Sequence, residues 1–357
     1  MLKKLLLLAA VALLLAMMAA GAGWYGMSWY SQQKVLSTAD SEFVVERGDS
    51  LGRIVRRLTN DRVIKYPGLF ELLARVRGVA TDIHAGEYLI APDISNGELL
   101  TMLVQGDVHY YNVTLVEGFT LKELLADLNQ QPKLSNPVQL NELATVISDS
   151  IEGASKGSHL EGQFYADTYS FESGASVASI LQRANKKLNA VLQEEWQARV
   201  KGVPYKTPYE ALIMASIIEK ETGVPSERPD IAGVFVRRLN KGMRLQTDPT
   251  VIYGMGDRYQ GGLSRRHLRE ATDYNTYVIH GLPPTPIATV GREAIQAALN
   301  PSDGSALYFV ARGDGTHQFS NTLVEHNRAV RKYQITERRK DYRSSVQELT
   351  QDTTIDQ

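Results

Sequence analysis

Two glutamates and a lysine close the stretch "ASIIEKETG" at residues 215–223, and their spacing decides whether a carboxyl there can do acid chemistry. Pro208 in a first-turn position, with Thr207 ahead of it as a cap, predicts a helix over "PYEALIMASIIEKET" that Gly223 and Pro225 stop. At the helical period Met214, Ile217, Ile218 and Glu221 share one face, whereas Glu219 falls toward Leu212, Ser216 and the polar edge. A carboxyl that ends a buried stripe loses hydration, which disfavours its anion. The negative end of the helix dipole acts in the same direction. An acid still protonated near neutral pH is what cleavage of a glycosidic bond requires. Lys220 opposes the shift if its ammonium reaches back, and the spacing leaves that open. A solvated, charged helix end is the plain alternative for either glutamate. The periodicity favours Glu221.

Downstream, "GMRLQTDPTVIYGMGDRY", "DYNTYVIHGLPPTPIATVG" and "ALNPSDGSALYFVARGDGTHQFS" concentrate Gln, Asp, Asn, Tyr, His and Phe in turn-rich chain. Sugar sites use such a mixture, with planar aromatics on pyranose faces and fixed amides and carboxyls on hydroxyls. Plainer roles exist for each. Asp248 before Pro249 also serves to start a turn. Tyr274 and Tyr277 fit a core as well as a sugar platform, and His317 near Phe319 fits a cleft wall or a buried hydrogen-bonded residue. His317, Glu325 and His326 match no strong metal-ligand spacing, so neither a metal nor another cofactor is expected. Ser216 and Ser264 lack the glycines of a nucleophile elbow. "GDGTH" at 313–317 is a hairpin turn signal before it is a phosphate loop.

These residues must be positioned by a chain of 357 residues, enough for two or three domains. With 39 Lys+Arg against 40 Asp+Glu, the charge footprint of a nucleic-acid binder is missing. The absence of cysteine excludes disulfides and a thiol nucleophile. Residues 1–4 carry Lys3 and Lys4, and no charge follows from Leu5 to Tyr30. That run predicts a transmembrane anchor over 5–27 with a cytoplasmic N-terminus and an exported bulk. Trp24, Tyr25, Trp29 and Tyr30 would form its interfacial belt. A cleaved signal peptide ending in "AMMAAGAG" is the competing reading, and the length of the run favours an uncleaved anchor.

A polar linker is expected over 28–42, then a small α+β module over 43–106. Its strand, Gly-Asp turn and helix place Leu51, Ile54, Val55 and Leu58 on one buried face, with Asp49 or Ser50 as cap. Ser95 or Asn96 would cap a further short helix. This opening resembles a LysM-type glycan-binding repeat. A larger α+β domain follows over 107–334. In it a strand holds Val113 and Leu115, Gly118 turns the chain, and Thr120 with Glu123 makes a capping box ahead of the stripe Leu121, Leu124, Leu125 and Leu128. A polar tail over 335–357 is expected to fray.

Taken in order, "LEGQFYADTYSF", "ASIIEKET", "RLQTDPTVIYG", "YNTY", "GLPP", "YFV" and "HQF" resemble the YceG/MltG family of endolytic murein transglycosylases over nearly the whole chain. The resemblance implies an α+β enzyme of the inner membrane with a periplasmic catalytic domain. It further implies a carbon–oxygen lyase that cuts nascent peptidoglycan strands between N-acetylmuramic acid and N-acetylglucosamine, leaves 1,6-anhydro ends and so terminates polymerisation. In that family the catalytic glutamate belongs to "EKET". The Glu-Thr pair is similar to the Glu-Ser pair of other lytic transglycosylases and points to Glu221 as acid and then base. Gln246, Asp248, Tyr253, Asn275 and Tyr277 would line the glycan cleft, joined at its wall by His317 and Phe319, with Glu219 as a further substrate-binding residue that orients or tunes its neighbour. Expected partners are glycan strands and the penicillin-binding synthases. Ala166 stands where the family usually has proline, and Thr285 and Thr289-Val290 replace its commoner glycine and Asn-Pro. A non-catalytic glycan-binding scaffold is the alternative function.

Overall fold

The structure, a computed structural model, describes residues 2–147 and 159–339, so the expected tail lies outside it from residue 340 onward. Helices and short strands mix as an α+β fold with three two-stranded sheets among the described residues. The chain divides into two compact units, Met1–Tyr111 with Ser170–Gly174, and Asn112–Tyr169 with Ala175–Gln357.

The first unit begins with α1 (Leu2–Gln32), long and apolar enough to cross a membrane and unburied over its apolar window. After it come β1 (Ser41–Val45), α2 (Leu51–Asn60), α3 (Pro67–Val76), β2 (Gly86–Ile90) and α4 (Asn96–Gln105). β1 and β2 pair antiparallel with Phe43 opposite Tyr88. Ile54, Val55 and Leu58 of α2 meet Phe70, Leu73, Leu99, Leu100 and Leu103 in one core. Ser95 caps α4 in a reciprocal box with Glu98. Ser50 sits at the N-cap of α2 without a side-chain cap bond. Asp49 instead accepts from the Glu46 amide and from Arg53 and Arg57.

The expected linker over 28–42 is corrected. Helix α1 runs on to Gln32, and Tyr30 and Val35 are buried with the core of this unit. The Asn96 amide N–H donates to the Gln33 carbonyl at 2.8 Å, and its Nδ2 reaches the Tyr30 and Gln33 carbonyls. The start of α4 thus bonds one of the last carbonyls of α1, that of Tyr30, and the carbonyl of Gln33 just past its end. Polar composition hid this, because the two residues that anchor the segment are isolated apolar positions. The first unit also runs five residues past 106, since the His109 amide and the Tyr111 hydroxyl both bond Glu87.

Strand β3 (Tyr110–Thr114) runs from the first unit into the second and pairs with β4 (Thr168–Glu172), whose residues divide in the same way. Between them stand α5 (Leu121–Gln130), capped by the Thr120–Glu123 box, and α6 (Leu140–Ile147). Then follow α7 (Val177–Gln197), α8 (Pro208–Glu221), α9 (Arg228–Asn240), α10 (Asp248–Met255), α11 (Arg292–Leu299), the hairpin β5 (Tyr308–Ala311) and β6 (His317–Ser320), and α12 (Leu323–Val330). Helix α8 packs against α7, α9, α10 and α11, and every residue from Ala211 to Glu219 is buried. The amphipathic wheel is thus corrected: α8 is a central helix with no polar edge, so Glu219 cannot face solvent. Its sequence hides this because Ser216 and Glu219 are polar yet partnered inside.

Candidate active site

Thr207 caps α8, accepting from the Glu210 amide at 3.2 Å, and the helix ends at Glu221 as Thr222 turns extended. Glu221 is thereby delivered to the rim of the core, partly exposed like Lys220, while residues 211–219 are buried. Facing it is the loop that enters α10. Gln246 adopts a left-handed backbone (φ 54°), and its amide donates to the Thr276 carbonyl at 3.1 Å. The Thr247 amide donates to Thr276 Oγ1 at 3.0 Å. These bonds staple "QTD" to "NTY", and they turn the Thr247 hydroxyl onto Glu221 Oε1, to which it donates. One residue further, Asp248 Oδ1 accepts from the Tyr277 hydroxyl at 2.7 Å.

Burial pushes the Glu221 carboxyl up to about 7. The Asp248 charge adds to the rise, while the Thr247 bond and the Arg238 guanidinium pull against it. Lys220, whose direction the sequence left open, turns away: its Nζ donates to the Gly118 carbonyl at 3.1 Å. Thr289 fixes that carbonyl's loop. Its hydroxyl donates to the Val116 carbonyl at 2.7 Å and accepts from the Phe119 amide at 3.1 Å.

Glu219 is corrected as a substrate contact. Its carboxylate is fully buried, and Arg228 donates to Oε1 at 2.9 Å. Arg228 also meets Glu117 at 3.6 Å and pairs with Glu293. Burial, with Glu117 nearby, raises the Glu219 carboxyl despite the arginine. Asn275 is likewise buried and structural. Its Nδ2 donates to the carbonyls of His267 at 3.1 Å and Glu270 at 2.7 Å, and its Oδ1 accepts the Tyr277 amide. His317 takes the buried alternative: Glu227 accepts from its amide at 2.9 Å, and its Nδ1 lies 2.8 Å from Glu227 Oε2. Phe319 packs on the core beside Phe309. Of the expected cleft residues, the structure gathers Thr247-flanking Gln246 and Asp248 with Tyr277 around Glu221, and Gln246 and Asp248 are exposed.

Tyr253 belongs to a neighbouring cluster. Its hydroxyl donates to Glu161 Oε2 at 3.0 Å, and its ring lies 4.9 Å from that of Tyr274. Glu161 Oε1 accepts the Leu121 amide at 2.8 Å. Burial nevertheless pushes the Glu161 carboxyl up to about 7. Glu161 and Thr247 are the two site residues that sequence reasoning passed over. Both stand inside quoted motifs, and only a tertiary partner distinguishes them from their neighbours. The atypical residues also find roles. The Ala166 amide donates to the Val290 carbonyl at 3.2 Å, a bond that proline at 166 could not make. Thr285 lies 2.8 Å from the Tyr274 hydroxyl.

Among the described residues no group of three or more His, Asp or Glu is placed to hold a metal. A partly exposed acid raised to about 7, with one oxygen held by a hydroxyl, is the equipment of an acid–base site. The sequence model of the YceG-like family matches residues 43–332, and the chain belongs to that family. A Bacillus subtilis protein named endolytic murein transglycosylase is 30% identical over 328 residues, covering 88% of this chain and 90% of its own. The protein of that name from Streptococcus pneumoniae D39 is 25% identical, and the matched region spans 88% of this chain and 63% of its length. A crystal structure of a yceG-like protein from Listeria monocytogenes matches with a TM-score of 0.52 and 28% identity, covering 82% of this chain and 99% of that one.

Proposed function

We propose that this chain is a membrane-anchored lytic transglycosylase that cuts peptidoglycan strands internally, with Glu221 as its single acid–base group. The observation that carries the reading is the Glu221 carboxyl, raised to about 7 and gripped on one oxygen by Thr247. The curated relatives named endolytic murein transglycosylase support it. With Oε1 accepting from Thr247, Oε2 carries the acid proton. The proton passes to the oxygen linking N-acetylmuramic acid to N-acetylglucosamine as the bond from that oxygen to the muramic C1 breaks. The substrate's N-acetyl group steadies the cationic C1. The new carboxylate then accepts the proton of the muramic C6 hydroxyl as O6 bonds C1 and closes the 1,6-anhydro ring. An internal hydroxyl replaces water, so one carboxyl suffices where hydrolysis uses two.

Helix α1 holds the enzyme in the inner membrane with the bulk periplasmic, a reading supported by its apolar length and by Lys3 and Lys4 ahead of the run. The β1-α2-α3-β2 module acts as a LysM-like glycan-binding domain. Cleavage near the membrane ends polymerisation by penicillin-binding synthases. Full-length protein in detergent, incubated with purified glycan strands, is expected to release anhydro-ended products by mass spectrometry, and Glu221→Gln to release none. Reducing ends would mean a hydrolase, and no new ends a scaffold.

A further inference from the structure

The chain is balanced in charge, yet one segment is not. Between Arg258 and Glu270 stand four arginines and a histidine against a single carboxylate. Arg258, Arg265, Arg266, His267, Arg269 and Glu270 line a cavity of about 640 Å³. Glu270 is taken by Arg258 at 2.9 Å. Arg265, Arg266 and Arg269 are exposed and have no ion pair among the described residues. Three guanidiniums gathered without counter-charges repel one another and are held there by the fold. Asn275 supplies the hold, since its buried amide clamps both the His267 and Glu270 carbonyls.

The same asparagine ties this turn to the candidate catalytic carboxyl. Its Oδ1 accepts the Tyr277 amide, the Tyr277 hydroxyl donates to Asp248, and Asp248 follows the threonine that grips Glu221. A cationic cavity is thus fixed to the acid through a short run of hydrogen bonds. The ligand is set by chemistry. Guanidiniums bind carboxylates through paired N–H donors, and the muramic acid residue at the scissile bond carries a peptide that ends in a free carboxylate.

We propose that the turn from Arg258 to Glu270 is a binding site for the carboxylates of the peptide stem of peptidoglycan, and that Arg265, Arg266 and Arg269 make the enzyme prefer peptide-bearing strands. This rests on peptidoglycan being the substrate. A binding and a cleavage measurement separate the two readings. Titration of the full-length protein in detergent with a soluble disaccharide-peptide, and with the same compound amidated at its peptide carboxylates, is expected to show at least 10-fold weaker binding of the amide. The triple variant Arg265→Gln/Arg266→Gln/Arg269→Gln is expected to bind both forms equally weakly, while replacing the three by lysine restores part of the discrimination. In cleavage, the triple variant is expected to lose about 10-fold in kcat/KM on peptide-bearing strands and nothing on strands stripped of peptide by an amidase. Equal binding of acid and amide by the unmodified protein, or equal loss on both strands, overturns the site even when anhydro ends are formed. Discriminating binding without anhydro ends keeps the site and rejects the reaction. Should the variant lose only its affinity for vesicles containing anionic phospholipid, with peptide discrimination intact, the arginines serve the membrane and the proposal fails.

Discussion

At the residue scale, Glu221 makes a pH prediction whose sign is fixed. On the proposed mechanism Glu221 acts in its protonated form, and burial raises its carboxyl to about 7, so kcat/KM is expected to fall as pH rises through that value. Thr247→Val removes the bond that lowers this value, and the alkaline limb is expected to move upward while the maximal rate drops, by about 10-fold or more for a misplaced acid. A pH–rate series on both proteins checks it; an unmoved limb would sink the assignment of that hydroxyl. Glu161 offers a matching stability test. Its folded value of about 7 lies above the unfolded carboxylate value of 4.5, so its contribution is favourable below 4.5 and is lost as pH climbs through 7. The loss is on the order of 3 kcal/mol, from a shift of roughly two and a half pH units. Glu161→Gln keeps the acceptor for Leu121 and flattens this slope, so thermal melts at pH 5 and pH 8 are expected to differ less for the variant than for the parent.

At the element scale, α8 depends on a charge inside the core. Removing Arg228 strands Glu219 with no counter-ion, and Arg228→Met is expected to destabilise by about 3–5 kcal/mol, whereas Glu219→Gln combined with Arg228→Met costs much less. A double-mutant cycle by thermal melting measures the difference. The sequence disclosed α8 well in extent, cap and termination, because Thr207, Pro208 and Gly223 act through local backbone chemistry. It misplaced Glu219, because helical period finds one buried face and α8 is buried on all of them. The site was legible in the same uneven way. Asp248 and Tyr277 stand out as polar and aromatic types in turn-rich chain. That Thr247 rather than Lys220 meets Glu221 follows from pairing of segments 26 or more residues apart, which no local pattern reports.

On the scale of the whole molecule, where the soluble part begins has consequences. Tyr30 and Val35 belong to the first core, so a chain starting at residue 24 retains both and one starting at residue 37 lacks them. The shorter chain is expected to melt lower, through loss of about 1.5–3 kcal/mol for each buried side chain removed. Calorimetry of the two truncations decides it. Equal midpoints would show that these residues add nothing to the module.

The seam between α1 and α4 also governs reach. A flexible tether of a dozen residues would let its cargo wander about 20 Å. Here the Asn96 bonds to the Tyr30 and Gln33 carbonyls remove that slack before the module begins. With α1 in a bilayer, the module stands off the lipid at one fixed height, as a gauge does from its baseplate. On the proposed topology any glycan the module binds would come from a thin layer beside that bilayer, and lengthening α1 by whole turns would raise that layer in steps of about 5.4 Å.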